Sequence, residues 1–469
     1  MNNTNHMEPM PTIKRRRAKL QRRKKKIKKF LKNEAANTWF DAQKGVHLVR
    51  KEGCIVPDKG YLKGLQHPLS KLMPRKAMMI AINDLDSKIK HSRSIQYHGP
   101  IAGQRVGGLI NCGGLDWLVT SSPRLIKPAK GEFPHIKRLV ETMLPDEAAR
   151  LALYSWHKVQ YSAINRGLHS KCPMLILAGD ADDGKSFFML LSTFLRGGRD
   201  VNPIKVWSGE GASWTDHMVG AECLNIDDSL AAKDYRSRVA LGAKFKEAIY
   251  ADTVTIDKRH CSSFTLNPRP VWGVMMAVNA NGQAIRVVPA VDEEGMSDKM
   301  VILRTQKAEI HRRESGDEGA KERLDCYLSE LPPFANWLLN EFELPEALPE
   351  GCSVSRSGAV VYRDSEAMRI LHDESPAGQL EEAILEFRDR DNSLIQDGAS
   401  YTTSRLKGLL ECTMQTNNDT RIPRSTKTMG VYLSQFADRE GGCIASAGKD
   451  RNGCRLWTVV PLQQRLNNN

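Results

Sequence analysis

Between residues 170 and 305 the apolar positions fall into short unbroken runs. Met174-Leu175-Ile176-Leu177-Ala178 and Val271-Trp272-Gly273-Val274-Met275-Met276-Ala277-Val278 carry no polar position, as expected of strands covered on both faces of a parallel sheet. Cys223-Leu224-Asn225-Ile226 is a shorter run, with Asn225 where an apolar residue is usual. Phe187-Phe188-Met189-Leu190-Leu191 reads as an apolar helix. Asp146 to about residue 169 reads as a helix with acids in its first turn, as the helix dipole prefers. From Asp252 to Leu266 β-branched and polar residues alternate around Lys258-Arg259-His260, the pattern of a hairpin with a basic tip.

Outside this core the pattern changes. Residues 34–145 are punctuated by His98-Gly99-Pro100, Gly107-Gly108 and Gly113-Gly114, which predicts short strands and turns without long helices. Asp84 and Asp86 read there as a solvated pair at a helix end. Charged helices are expected after Arg304 as far as Leu338. A polar stretch from Pro345 to Ser357 precedes three helices (Gly378 to Arg390, Thr403 to Cys412, Thr426 to Arg439). A hairpin closes the chain, Gly442 to Ala447 with Arg455 to Val460. Three helices and a basic-tipped hairpin suggest a winged-helix-like unit, open to a role in reading DNA, docking protein or acting as a lid.

The expected class is therefore α/β. Its parts are a basic tail without structure (1–33), an N-terminal α+β region (34–145), an α/β core around a parallel sheet (146–310), a helical lid and linker (311–375) and a winged-helix-like C-terminal domain (376–469).

Charge sharpens this. The chain of 469 residues carries a formal +14, yet residues 1–33 hold thirteen Lys/Arg against one Glu, so the remainder is nearly neutral. Such a block fits a nucleic-acid arm or a localisation signal, with a solvated or helical arm as the plainer alternative. The ten cysteines form no CxxC pair, and reduced thiols are expected. No run approaches the ~18 apolar residues of a membrane span. The expectation is a soluble cytoplasmic protein, without a membrane partner.

The chemistry is concentrated at Gly179-Asp180-Ala181-Asp182-Asp183-Gly184-Lys185-Ser186. A strand, a Gly-rich turn and a helix in this order present backbone N–H groups to the phosphates of ATP. Lys185 adds a charge and Ser186 a hydroxyl for Mg²⁺. Three aspartates are unusual beside a triphosphate, and the expectation is that Asp180, Asp182 and Asp183 point to solvent. Such a loop needs acids on a second strand. Asp227 and Asp228 follow the 223–226 run, Asp227 for Mg²⁺ and Asp228 to orient the attacking water. Asn279 ends the third strand, where an amide can bond both phosphate and water. Lys258, Arg259 and His260 can hold a nucleic-acid backbone, or form a solvated turn.

These elements in this order resemble the superfamily-three helicases, AAA+ motors of viruses, phages and mobile elements, and most closely the helicase half of phage-type primase-helicases. Supporting phrases are Val106 to Asn111, Arg124 to Pro128, Gly197-Gly198-Arg199, Ala221 to Asp228 and Asp298 to Arg304. The resemblance implies an ATP-driven hexameric ring that translocates on single-stranded DNA during replication of such an element, with priming from a separate protein. It also implies a cation from the neighbouring subunit at the γ-phosphate. Arg236, Arg238, Lys299 and Arg304 are candidates, and Lys299 and Arg304 lie where the family places such groups. Two alternatives remain: an AAA+ ATPase for protein remodelling, packaging or defence, and a nucleic-acid-binding ATPase switch.

Overall fold

The computed structural model describes residues 11–112, 114–208, 214–227, 235–259, 263–280, 287–289, 297–310, 317–373, 375–389, 393–413, 421–437 and 443–461. Its centre is a five-stranded sheet. In chain order the strands are β1 (Met174–Gly179), β2 (Asp200–Val201), β3 (Cys223–Ile226), β6 (Gly273–Asn279) and β7 (Met300–Arg304). Their spatial order is β7-β1-β6-β3-β2, and every pairing is parallel. All six residues of β1 are buried, as its unbroken apolar run requires.

Helix α1 (Glu147–Arg166) leads into β1. Its start is capped by the Asp146 side chain, which accepts from Ala148 N at 3.2 Å, and Gly167 ends it at φ +65°. Helix α2 (Lys185–Leu195) leaves the loop after β1 and buries Phe188, Leu191 and Leu195 on one face. Helix α3 (Tyr235–Tyr250) precedes the hairpin of β4 (Val254–Ile256) and β5 (Phe264–Leu266). The hairpin is antiparallel and buries Val254, Ile256, Phe264 and Leu266. After β7, helix α4 (Asp317–Asn340) packs on α1 and α2.

The flanking regions depart from the sequence expectation in three places. Pro11–Ala36 is one helix of 26 residues, where a tail without structure was expected. Lys and Arg are good helix formers, and Phe30, Leu31 and Ala35 give its last turns an apolar anchor. That anchor lies against a second unexpected helix, Arg75–Ser92, which buries Met78, Ile82, Leu85 and Ile89 at helical spacing. Asp84 and Asp86 are thus mid-helix. Asp84 is exposed, while Asp86 pairs with His47 at 2.9 Å and Lys90 at 2.8 Å. No group of three metal-ligating side chains occurs among the described residues.

The third departure concerns residues 97–119, expected within a separate N-terminal region. Their three-stranded sheet shares one core with the central sheet, in which Tyr97, Trp117 and Val119 pack with Phe264, Val274 and Met276.

At the C-terminus the helices are Pro376–Arg388, Thr403–Thr413 and Thr426–Phe436. Strands Ile444–Lys449 and Arg455–Val459 pair antiparallel, and a short strand, Ser400–Thr402, adds to the second of them. These elements enclose their own core around Leu380, Leu410, Leu433, Phe436 and Trp457. No described helix is long and apolar enough to cross a membrane.

Candidate functional site

The carboxyl ends of β1, β6 and β3 gather the residues singled out for chemistry. β1 runs straight into the Gly179–Ser186 loop. Gly184 takes φ +90° and Asp182 φ +65°, left-handed conformations that turn the chain back into α2. Lys185 is buried, and its Nζ donates to the carbonyls of Gly179 at 3.0 Å and Asp180 at 2.5 Å. The ammonium is thereby held across the loop's mouth. Ser186, in the first turn of α2, is exposed.

Close packing explains both glycines. A Cβ at Gly179 would lie 2.0 Å from Thr305 Oγ1 and 2.4 Å from Asp183 Oδ2. At Gly184 it would meet the Ala308 side chain at 3.0 Å. The loop is thus packed closely against residues 305–308, leaving no room for a side chain at either glycine. The glycine turn, the buried Lys185 ammonium and the exposed Ser186 hydroxyl are groups whose chemistry suits the phosphates of a nucleoside triphosphate.

Asp180, Ala181 and Asp182 are exposed, as expected, but Asp183 is not. Its carboxylate turns inward and accepts from Thr305 Oγ1 at 3.1 Å, while its main-chain carbonyl accepts from Ala308 N at 3.2 Å. The expectation that its charge faces solvent is therefore corrected. A partner lay on the strand end beside it, because β7 pairs with β1 and Arg304 stands opposite Ala178.

Residues 305–310 lie alongside the loop and tie it to the Pro134–Met143 helix. Gln306 N donates to Met143 O at 2.8 Å, Glu309 N to Thr142 Oγ1 at 2.9 Å, and Arg138 grips Glu309 through two bonds of 2.9 Å. Sequence reading missed this strap. Its only signal was position, immediately after a strand adjoining the phosphate loop.

Asn279, the last residue of β6, stands in register with Gly179. Asp227 follows β3 on the far side of β6, is exposed, and accepts from Asn202 Nδ2 at 2.9 Å. The adjoining Asp228 lies outside the described residues, as does His260. Asn225 is buried where an apolar residue was expected. Its Nδ2 donates to Thr193 Oγ1 on α2 at 2.9 Å and to Asp200 Oδ2 on β2 at 3.2 Å, which joins three elements.

Lys258 is half-buried at the base of the hairpin tip. Its ammonium stands over the rings of Tyr97 and Trp117, 5.3 and 5.7 Å from their centroids. Arg259 is exposed. Of the candidate fingers, Arg304 is exposed at the end of β7, whereas Lys299 pairs with Asp298 at 2.8 Å and lies over the Tyr250 ring. Arg236 and Arg238 fall in the first turn of α3.

Behind the loop, His157 on α1 is fully enclosed, with Nδ1 on Leu153 O and Nε2 on Ser192 Oγ of α2, both at 2.9 Å. Burial pushes its pKa down to about 4, so the ring is neutral and structural.

No family model and no curated protein matches the sequence. Among solved structures the chain resembles the apo C-terminal region of NrS-1, which it matches at TM-score 0.52 and 12% identity, covering 90% of this chain and 96% of that one. A second apo structure of that region, the A form, gives TM-score 0.51 at 11% identity with the same coverage. SCCmec type IV Cch, an active helicase, is matched at TM-score 0.38 and 11% identity over 92% of this chain and 93% of that one, too distant a likeness to argue from. The likeness to NrS-1 is one of fold and spans nearly the whole of both chains.

Proposed function

We propose that this chain is an ATP-driven DNA helicase of the superfamily-three type, an AAA+ motor that works as a ring on single-stranded DNA in the replication of a phage or mobile element. The observation that carries the reading is the meeting of the Gly179–Ser186 loop, Asn279 and Asp227 at the carboxyl ends of three neighbouring parallel strands. Open parallel sheets bind their ligands at that edge. The strand order, with the loop strand between the Asn279 strand and the last strand, suits an AAA+ core.

In this reading Lys185 and the loop amides hold the phosphates, while Ser186 and Asp227 hold Mg²⁺. The ion would supply charge to offset that developing on the transferred phosphoryl group. Asp228 orients the attacking water, and Asn279 senses the phosphate from beside Gly179. Arg304 is the better-placed finger, because Lys299 is already engaged by Asp298. The exposed Arg259 carries the hairpin's contact with the strand, and Lys258 braces the hairpin against Tyr97 and Trp117. The C-terminal helices and their three-stranded sheet fit a winged-helix unit.

ATP hydrolysis measured with and without single-stranded DNA, together with strand displacement, tests the reading. Wild-type protein should be stimulated and should unwind. Lys185→Ala should do neither, because it removes the ammonium that would face the phosphates; circular dichroism checks that the fold survives loss of this buried side chain, which bonds Gly179 O and Asp180 O. Hydrolysis at the wild-type rate by Lys185→Ala would falsify the phosphate site. ATPase that ignores DNA would favour a protein-remodelling motor, and stimulation without displacement a nucleic-acid-binding switch.

A further inference from the structure

The Pro11–Ala36 helix is anchored by apolar packing at one end only. Ile27, Phe30, Leu31 and Ala35 turn toward the body, but every residue from Arg15 to Lys26 is exposed. Nine of those twelve are Lys or Arg, and Leu20, 55% exposed, is their one large apolar side chain. Arg23 donates to Lys71 O at 3.2 Å; among the described residues none of the nine pairs with a carboxylate. The helix thus projects a rod of uncompensated positive charge.

The placement of the charges says what surrounds it. At 100° per residue, Arg15, Lys19, Arg22 and Lys26 share one face. Arg16 and Arg23 share a second, and Arg17 and Lys24 a third. A strand or membrane lying along a helix meets one face. Cations on all sides suit a helix with phosphates on both flanks. A helix is about 10–12 Å across with its side chains, and the major groove of B-form DNA is about 12 Å wide. The major groove of duplex RNA is too narrow and deep to admit it. A single apolar residue in the free half gives a membrane little to bury.

We infer that the free half of this helix inserts into the major groove of duplex DNA and holds it through phosphate contacts on both groove walls. This is a second nucleic-acid site, independent of ATP and of the hairpin's contact with a single strand.

Two full-length variants test it, one with Arg15, Lys19, Arg22 and Lys26 changed to Gln, the other with Arg16, Arg23 and Lys24 changed to Gln. Gln keeps helix propensity close to that of Lys and Arg, and helicity is checked by circular dichroism. Binding is measured against salt for duplex DNA, duplex RNA and single-stranded DNA of equal length, and for phosphatidylserine vesicles. Each lost contact lowers the log–log slope on duplex DNA by about 0.9. The expected loss is therefore roughly 3–4 for the first variant and 2–3 for the second, with changes under about one unit on single strands. Unchanged duplex slopes would overturn the inference, as would equal losses on single strands or duplex RNA. So would an effect from only one variant, which means a helix lying on a surface, or losses confined to vesicles.

Discussion

Thr305→Val isolates the link between the phosphate loop and the strap beside it. Asp183 and Thr305 are 5% and 4% exposed, so water cannot replace the lost hydroxyl. Valine keeps the shape and sets a methyl group against a buried carboxylate that had a donor at 3.1 Å. Hydrogen bonds to charged groups contribute about 1.5–3 kcal/mol. At about 1.4 kcal/mol per factor of ten, the loop should open roughly 10- to 100-fold more often. Hydrogen exchange followed by mass spectrometry reads that opening directly. Peptides covering residues 179–186 and 305–310 should exchange faster, and those covering Thr426–Phe436, in a separate core, should not. Asp183→Asn combined with Thr305→Val should cost less than the two separately, because a neutral amide tolerates the loss better. Exchange within about threefold of the parent protein at both segments would mean the contact holds nothing in place.

Arg259→Ala should lower stimulation by single strands while leaving basal hydrolysis. Lys258→Ala should loosen the hairpin by about 0.5–2 kcal/mol, the range for a cation over aromatic rings, visible as faster exchange across Val254–Leu266. If only Lys258→Ala impairs stimulation, the two roles are exchanged. Asp228→Asn should bind ATP without cleaving it, since the amide cannot polarise water as a carboxylate does. Loss of ATP binding would move the metal to Asp228. Stability should fall on acidification between pH 6.5 and about 4, because His157 has its pKa depressed from 6.5 to about 4 in the fold, so the unfolded chain takes up the proton first. The loss from this residue reaches roughly 3 kcal/mol below that window. Denaturant midpoints should vary less steeply across the window in His157→Gln, with His169, likewise pushed down to about 4 by burial, keeping part of the slope; an unchanged slope would count against a neutral buried ring at 157.

Much of the central sheet was legible because buried parallel strands leave unbroken apolar runs, and β1, β3 and β6 lie where those runs predict them. The hairpin was legible from its alternation. What escaped depended on distance in sequence. Asp183 looked like a surface charge because its partner is 122 residues away, and Asn225 looked misplaced because Thr193 and Asp200 are brought to it only by the sheet. Lys258 read as a free tip, since nothing local announces Tyr97 and Trp117. The Pro11–Ala36 helix was hidden by its charge: composition argued against a buried core, yet Phe30 and Leu31 suffice to moor one end.

The stack of Tyr97, Trp117 and Phe264, with ring centroids 4.8–5.9 Å apart, has a mechanical consequence. Tyr97 and Trp117 belong to the three-stranded sheet of residues 97–119 and Phe264 to the hairpin, so the stack joins the two. A displacement of the hairpin would break this stack or carry residues 97–119 with it, and both pack in the same core as β6, which follows the hairpin and ends at Asn279. A protein trimmed to begin at residue 146 would leave Phe264 without both ring partners, and the hairpin without the face that it packs on.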